Sequence, residues 1–147
     1  MDPLYGGAPW SNYSLEWTLN DYRNMGAPDE KIIMGLPLYG RDWPTVDDSI
    51  PGVATDEGVS VTMSAAVAMA QSQTAYFDTV ARSPYMLNPQ SQLWYCDTDS
   101  IEERIEWIDD EEIAGVGFWA LTYEEGVVDF WDRVSAITED STQPEEP

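Results

Sequence analysis

The side chains best suited to holding a polar ligand are concentrated in Tyr39-Gly40-Arg41-Asp42-Trp43. A guanidinium is a rigid fork of donors, and an indole is a broad flat apolar face. Tyr39 and Arg41 stand two apart, so on an extended chain they point the same way. A second group lies in residues 1–13, where Tyr5, Trp10 and Tyr13 are set among the chain breakers Asp2-Pro3, Gly6-Gly7, Pro9 and Asn12. Aromatic rings in such a loop can stack on the flat faces of pyranose sugars. They can equally well cover a hydrophobic edge. Asp109-Asp110-Glu111-Glu112 is the densest run of carboxylates, but it lacks the ligand spacing of a calcium loop and reads as a solvated turn. The sequence contains no histidine, which excludes histidine triads and histidine metal sites. It points to no metal or other cofactor.

Around the first cluster the chain is patterned as an α/β protein. Lys31 to Tyr39 contains the apolar run Ile32 to Leu38, with no charge inside it. A short uncharged run bounded by turn signals predicts a strand buried on both faces, with Tyr39 to Trp43 where it ends. In barrels of parallel strands the C-terminal strand ends carry the chemistry. Taken alone, the stretch reads equally well as a core strand followed by a solvated turn. Before it, Ser14 is an N-cap for a helix over Leu15 to Met25, with Leu15, Leu19 and Tyr22 as an apolar stripe and Gly26 as its stop. Helix, short loop and buried strand make half of a parallel α/β unit.

After it, residues 44–61 read as an irregular surface segment with a short extended piece at Val59–Val61. A helix is expected over Met63 to Gln71. Tyr76–Val80, Pro84–Leu87 and Leu93–Cys96 form a small antiparallel ribbon, with a turn at Asn88-Pro89-Gln90-Ser91. A capping box, in either of two registers within Asp99 to Glu103, opens a helix to Ile108, with Ile101, Ile105 and Ile108 inward. Ile113 to Leu121 is a second buried strand, and Val127 to Ile137 a last helix burying Val127, Phe130, Trp131 and Val134. Residues 138–147 read as an acidic disordered tail.

The balance of 28 acidic to 6 basic residues gives a formal charge of −22, which argues against nucleic acid and anionic membrane as partners. Lys31 is the single lysine. A Lys-poor acidic surface around a normal core predicts a protein that works in high salt, although an acidic protein from an ordinary source has the same composition. Cys96 is the one cysteine, so no disulfide forms within the chain. No apolar run is long enough to span a membrane, and the N-terminus lacks the pattern of a signal peptide.

Two buried strands, each followed by polar and aromatic residues and separated by helices, have the pattern of a (β/α)₈ barrel. Lys31-Ile32-Ile33-Met34-Gly35-Leu36-Pro37-Leu38-Tyr39-Gly40-Arg41-Asp42-Trp43 resembles the seventh-strand motif of glycoside hydrolase family 18, which includes chitinases and spore-wall peptidoglycan hydrolases. Gly115-Val116-Gly117-Phe118-Trp119-Ala120-Leu121 resembles its eighth-strand motif. Ser83-Pro84-Tyr85 and Leu93-Trp94-Tyr95-Cys96-Asp97 resemble the insertion between those strands. The resemblance covers about residues 3–137. It implies a partial TIM barrel, comprising the region of strands 7 and 8, and an N-acetylglucosamine-containing oligosaccharide or polysaccharide as ligand. It also implies that Tyr39 and Arg41 hydrogen-bond the sugar and that Trp119 lies beneath it. Trp43 and Trp10 are further subsite aromatics by this reading.

The family's catalytic glutamate ends an Asp-x-x-Asp-x-Asp-x-Glu motif, and that spacing does not occur in these residues. Asp97-Thr98-Asp99-Ser100-Ile101-Glu102 has the wrong spacing and opens a helix. The Tyr-Asp pair that ends the family's sixth strand is also missing. The expectation is a sugar-binding floor without a catalytic residue, inactive alone. The alternative is a non-catalytic binding module that docks with a complementary, N-terminal barrel portion.

Overall fold

The computed structural model describes residues 3–7, 9–10 and 12–140. The chain is mixed α/β, with two sheets. Helix α1, Leu15–Asn24, is capped by Ser14, whose side chain accepts from the amide of Trp17. Gly26 follows the helix with φ +88°, a left-handed conformation that suits glycine and ends the helix. Strand β1, Ile33–Pro37, runs directly into β2, Tyr39–Pro44. Then come β3, Val59–Thr62, and helix α2, Met63–Ala70, followed by β4, Ala75–Asp78, β5, Ser83–Asn88, and β6, Ser91–Trp94. Helix α3, Thr98–Asp110, strand β7, Gly115–Trp119, and helix α4, Phe130–Asp140, complete the described chain.

Strands β1 and β7 pair in parallel, with Ile33 opposite Gly115 and Pro37 opposite Trp119. Neither has a second strand neighbour among the described residues. The other sheet is antiparallel in the order β3-β2-β6-β5-β4. The expected ribbon of β4, β5 and β6 is thus extended by β2 and β3. Tyr39 to Trp43, read from sequence as the end of a strand, is itself a strand of this second sheet. The close approach of β2 to β6 needs Gly40, where a Cβ would come within 2.5 Å of the Cβ of Tyr95.

Two cores hold the layers together. Leu15, Leu19, Met34, Leu36, Leu38, Ile101, Ile105, Ile108, Phe130 and Val134 pack helices α1, α3 and α4 on one face of β1 and β7. Ala66, Met86, Leu93 and Tyr95 pack α2 on the antiparallel sheet. Arg23 joins the end of α1 to Asp29 and, at 2.6 Å, to Glu111 at the end of α3, so part of the acidic turn has a structural partner. Those two hydrogen bonds raise its pKa above the ordinary value.

Several expectations need correction. Strand β1 is not buried on both faces: Met34 and Leu36 face the core, whereas Ile33 is 67% exposed and Gly35 is open. Helices cover one face only, and no described residue covers the other. Tyr22 and Trp131 are exposed rather than part of the buried stripes. The cap of α3 is Asp97, ahead of both registers expected within Asp99 to Glu103. The Asp97 carboxylate accepts from the amide of Ser100, and Ser100 Oγ accepts from the amide of Asp97. The last helix starts at Phe130 and runs to Asp140, three residues into the segment read as a tail. Residues 141–147 lie outside the described residues.

Candidate active-site floor and sheet face

Strand β1 ends at Pro37, opposite Trp119 at the end of β7. The amide of Leu38 donates to the carbonyl of Trp119 at 2.7 Å, which locks the two strand ends together. Tyr39 and Trp119 line the same cavity, of about 260 Å³, with Leu15, Gly35, Leu36, Pro37 and Arg104. Trp119 is 70% exposed. Its indole is therefore a large apolar face held open to solvent beside a phenol. That pairing suits a ligand with one flat apolar side and hydroxyls at its edge. The Trp119–Ala120 peptide is cis.

Alternation along β2 puts Tyr39, Arg41 and Trp43 on one face of the antiparallel sheet. Arg41 does not reach the Tyr39 cavity as a free donor. Its Nε donates to the Glu57 carbonyl at 2.6 Å, and its guanidinium lies 5.0 Å from the centre of the Trp43 ring. Trp43 and Trp10 line a different cavity, of about 240 Å³, together with Trp94, Gln92, Thr45, Gly52 and Ala54. The five predicted ligand contacts thus divide: Tyr39 with Trp119, Trp43 with Trp10, and Arg41 between them.

Sequence reasoning did not single out Trp94, Gln92 or Tyr85 as site residues. Arg41 pairs with Trp94, Trp94 with Tyr85 and Tyr85 with Tyr76, so these side chains form one row across the sheet face. Tyr76 stacks on Tyr85 at 5.3 Å and Tyr85 on Trp94 at 4.4 Å, while Trp10 meets Trp94 edge-on at 4.6 Å. Trp94 Nε1 donates to Gln92 Oε1, which also accepts from the amide of Gly52, and Trp10 Nε1 donates to Asp78. Burial and the nearby Asp78 raise the Tyr85 pKa. The available signal was the two-residue alternation of Gln92 and Trp94 on a strand next to Arg41 and Trp43. Its use required the register.

Arg104 is almost fully buried beneath this region and donates to the carbonyls of Ala81, Arg82 and Ser100 and to Ser83 Oγ. It fixes the 81–83 turn to α3. No group of three or more histidine, cysteine, aspartate or glutamate side chains among the described residues could hold a metal ion. The buried Cys96 thiol is pushed above its ordinary pKa by desolvation, which suits a core residue.

The family model for glycosyl hydrolases family 18 matches residues 2–124. The chain belongs to glycosyl hydrolases family 18. A class V chitinase of Lotus japonicus is 30% identical over 122 residues, covering 77% of this chain and 31% of that protein. An N-acetylglucosaminidase of the family from Paenibacillus barengoltzii matches with a TM-score of 0.81 and 24% identity, over 92% of this chain and 42% of that one. A human pseudo-chitinase with retained chitooligosaccharide binding properties matches with a TM-score of 0.77 and 17% identity, over 95% of this chain and 44% of that one. These structural likenesses are likenesses of fold. This family 18 chain spans about a fifth to a third of the length of the curated relatives it matches.

Proposed function

We propose that this chain is the C-terminal part of a chitinase-like family 18 catalytic domain, the region of strands 7 and 8 of a (β/α)₈ barrel. In this reading it supplies part of the floor that binds N-acetylglucosamine-containing polysaccharide, chitin or peptidoglycan. The observation that carries it is the exposed Trp119 indole beside Tyr39 at the paired ends of β1 and β7. An N-acetylhexosamine ring laid on the indole would bury its axial C–H face, and the Tyr39 hydroxyl is the adjacent hydrogen-bonding group. Cleavage in this family uses a protonated glutamate and the substrate's own N-acetyl oxygen as nucleophile, and the motif carrying that glutamate is absent from these residues. The chain by itself therefore binds without cleaving. The human pseudo-chitinase, which retains chitooligosaccharide binding, is a precedent for that separation. Calorimetry with N-acetylglucosamine oligosaccharides, and with glucose oligosaccharides of the same length, tests the reading. Binding of the acetylated series alone supports it, and binding of neither overturns it.

The open side of the parallel pair favours a second reading. Ile33, Trp119 and Leu121 are exposed, and among the described residues the outer edges of both strands have no strand neighbour. Unpaired parallel strands with an apolar face call for a partner, here a complementary barrel portion. Association of the chain with itself or binding of an apolar dye would support an uncovered face. A monomer that unfolds cooperatively and binds no dye would count against it. The acid-rich composition further supports work in high salt, since five arginines and one lysine face 28 acids.

A further inference from the structure

We infer that Glu124 is a positioning residue for the sugar floor: through the Trp131 indole it holds the turn after β7 and so sets the direction of the Trp119 ring. The inference rests on the proposed floor and adds to it a residue that does not itself touch the sugar.

Trp119 is too exposed to be fixed by packing around its own ring, so its direction depends on the backbone on either side. On the strand side, Leu38 holds the Trp119 carbonyl, and Phe118 meets the Trp131 ring edge-on at 5.5 Å. On the other side the chain turns through residues 120–126. The amide of Tyr123 donates to the carbonyl of Ala120 at 3.1 Å, closing the turn onto the residue next to Trp119. Thr122, within that turn, has φ +79°. A β-branched residue adopts that conformation only where its surroundings impose it. Two contacts from outside the turn do so. The amide of Ser64 in α2 donates to the carbonyl of Tyr123 at 2.9 Å, and Trp131 Nε1 donates to Glu124 Oε1 at 3.1 Å. One indole thus touches the chain on both sides of Trp119, at Phe118 and at Glu124.

Glu124 is a poor choice for stability alone. It is almost fully buried, yet its Oε2 accepts no hydrogen bond from any described residue. A carboxylate oxygen buried without a donor destabilises a fold. A residue that breaks this rule next to a binding face marks a functional role rather than a packing one.

Calorimetry with N-acetylglucosamine oligosaccharides, read beside urea unfolding of the whole chain, separates positioning from a structural role. Glu124→Leu removes the acceptor and the unpartnered oxygen together. Its denaturation midpoint is expected to hold or rise while its affinity falls about tenfold. Glu124→Gln keeps an acceptor for the indole and should restore most of the affinity. Trp131→Phe keeps a ring against Phe118 but removes the donor, and it should lower affinity as Glu124→Leu does. Unchanged affinity in either Glu124→Leu or Trp131→Phe overturns this inference and leaves the Trp119 floor standing. So does a loss that Glu124→Gln fails to restore, because the acceptor is then not what acts. Affinity that falls only together with the denaturation midpoint overturns it too, and gives Glu124 a structural role instead. Absence of binding by the unaltered chain overturns the floor, and this inference with it.

Discussion

The amide of Leu38 donates to the carbonyl of Trp119 at 2.7 Å, joining the end of β1 to the end of β7. This bond continues the parallel ladder one step past Pro37, which has no amide hydrogen to give. It therefore fixes Tyr39 at the start of β2 beside the Trp119 indole, and the predictions for this site depend on that placement.

Trp119→Ala should lower affinity for N-acetylglucosamine oligosaccharides about tenfold or more, the scale of a lost stacking anchor. Because Trp119 is 70% exposed, the fold should change by less than about 1 kcal/mol. Calorimetric binding and urea unfolding measure the two effects. Asn20→Ala, on the exposed side of α1, should leave both unchanged.

The isolated chain should release no reporter from an aryl chitobioside at any pH. The family's acid is required for departure of the leaving group, and its motif does not occur here. A fluorescence assay that finds turnover well above the buffer blank contradicts this.

Arg104→Met should destabilise the fold by about 3 kcal/mol. It leaves the carbonyls of Ala81 and Arg82 and the Ser83 hydroxyl without the guanidinium that serves them. Arg104→Lys should recover only part of this, because an ammonium cannot span the same acceptors. Denaturant midpoints rank the three proteins. Equal midpoints would show that the 81–83 turn does not depend on Arg104.

Alkaline pH should weaken the fold through Tyr95. Burial, with Asp97 adding repulsion, pushes its hydroxyl up to about 12. A folded pKa above the unfolded value of about 10 means that the native state holds its proton longer. The contribution is therefore complete below pH 10 and is lost between about pH 10 and 12, amounting to about 3 kcal/mol. Tyr95→Phe should flatten that part of the stability–pH curve.

Molar salt should raise the folded fraction. Screening relieves repulsion among charges that sum to −22, and the ion pairs of Arg23, Arg82 and Arg133 use few of the acids. Circular dichroism across a salt series reads the effect, and maximal stability at low salt would remove the high-salt reading.

The sequence by itself determined the local elements and the family. Ser14 before an apolar stripe, Gly26 after it, and the uncharged run to Leu38 specify helix, stop and strand through capping and periodicity, which are properties of neighbours in the chain. The motifs at 31–43 and 115–121 likewise carry their meaning in order and spacing. Tertiary structure decided what those strands face. An apolar run looks the same whether one or both of its faces are covered, so the exposure of Ile33 was not legible. Tyr39 to Trp43 became a strand because β3 and β6 supply hydrogen bonds on both sides, and those partners are distant in sequence. The division of the five predicted contacts between two cavities follows from the same register. Pairing Arg41 with Trp94 and Trp43 with Gln92 aims side chains that the sequence could only name, because alternation fixes a shared face but not what stands across from it.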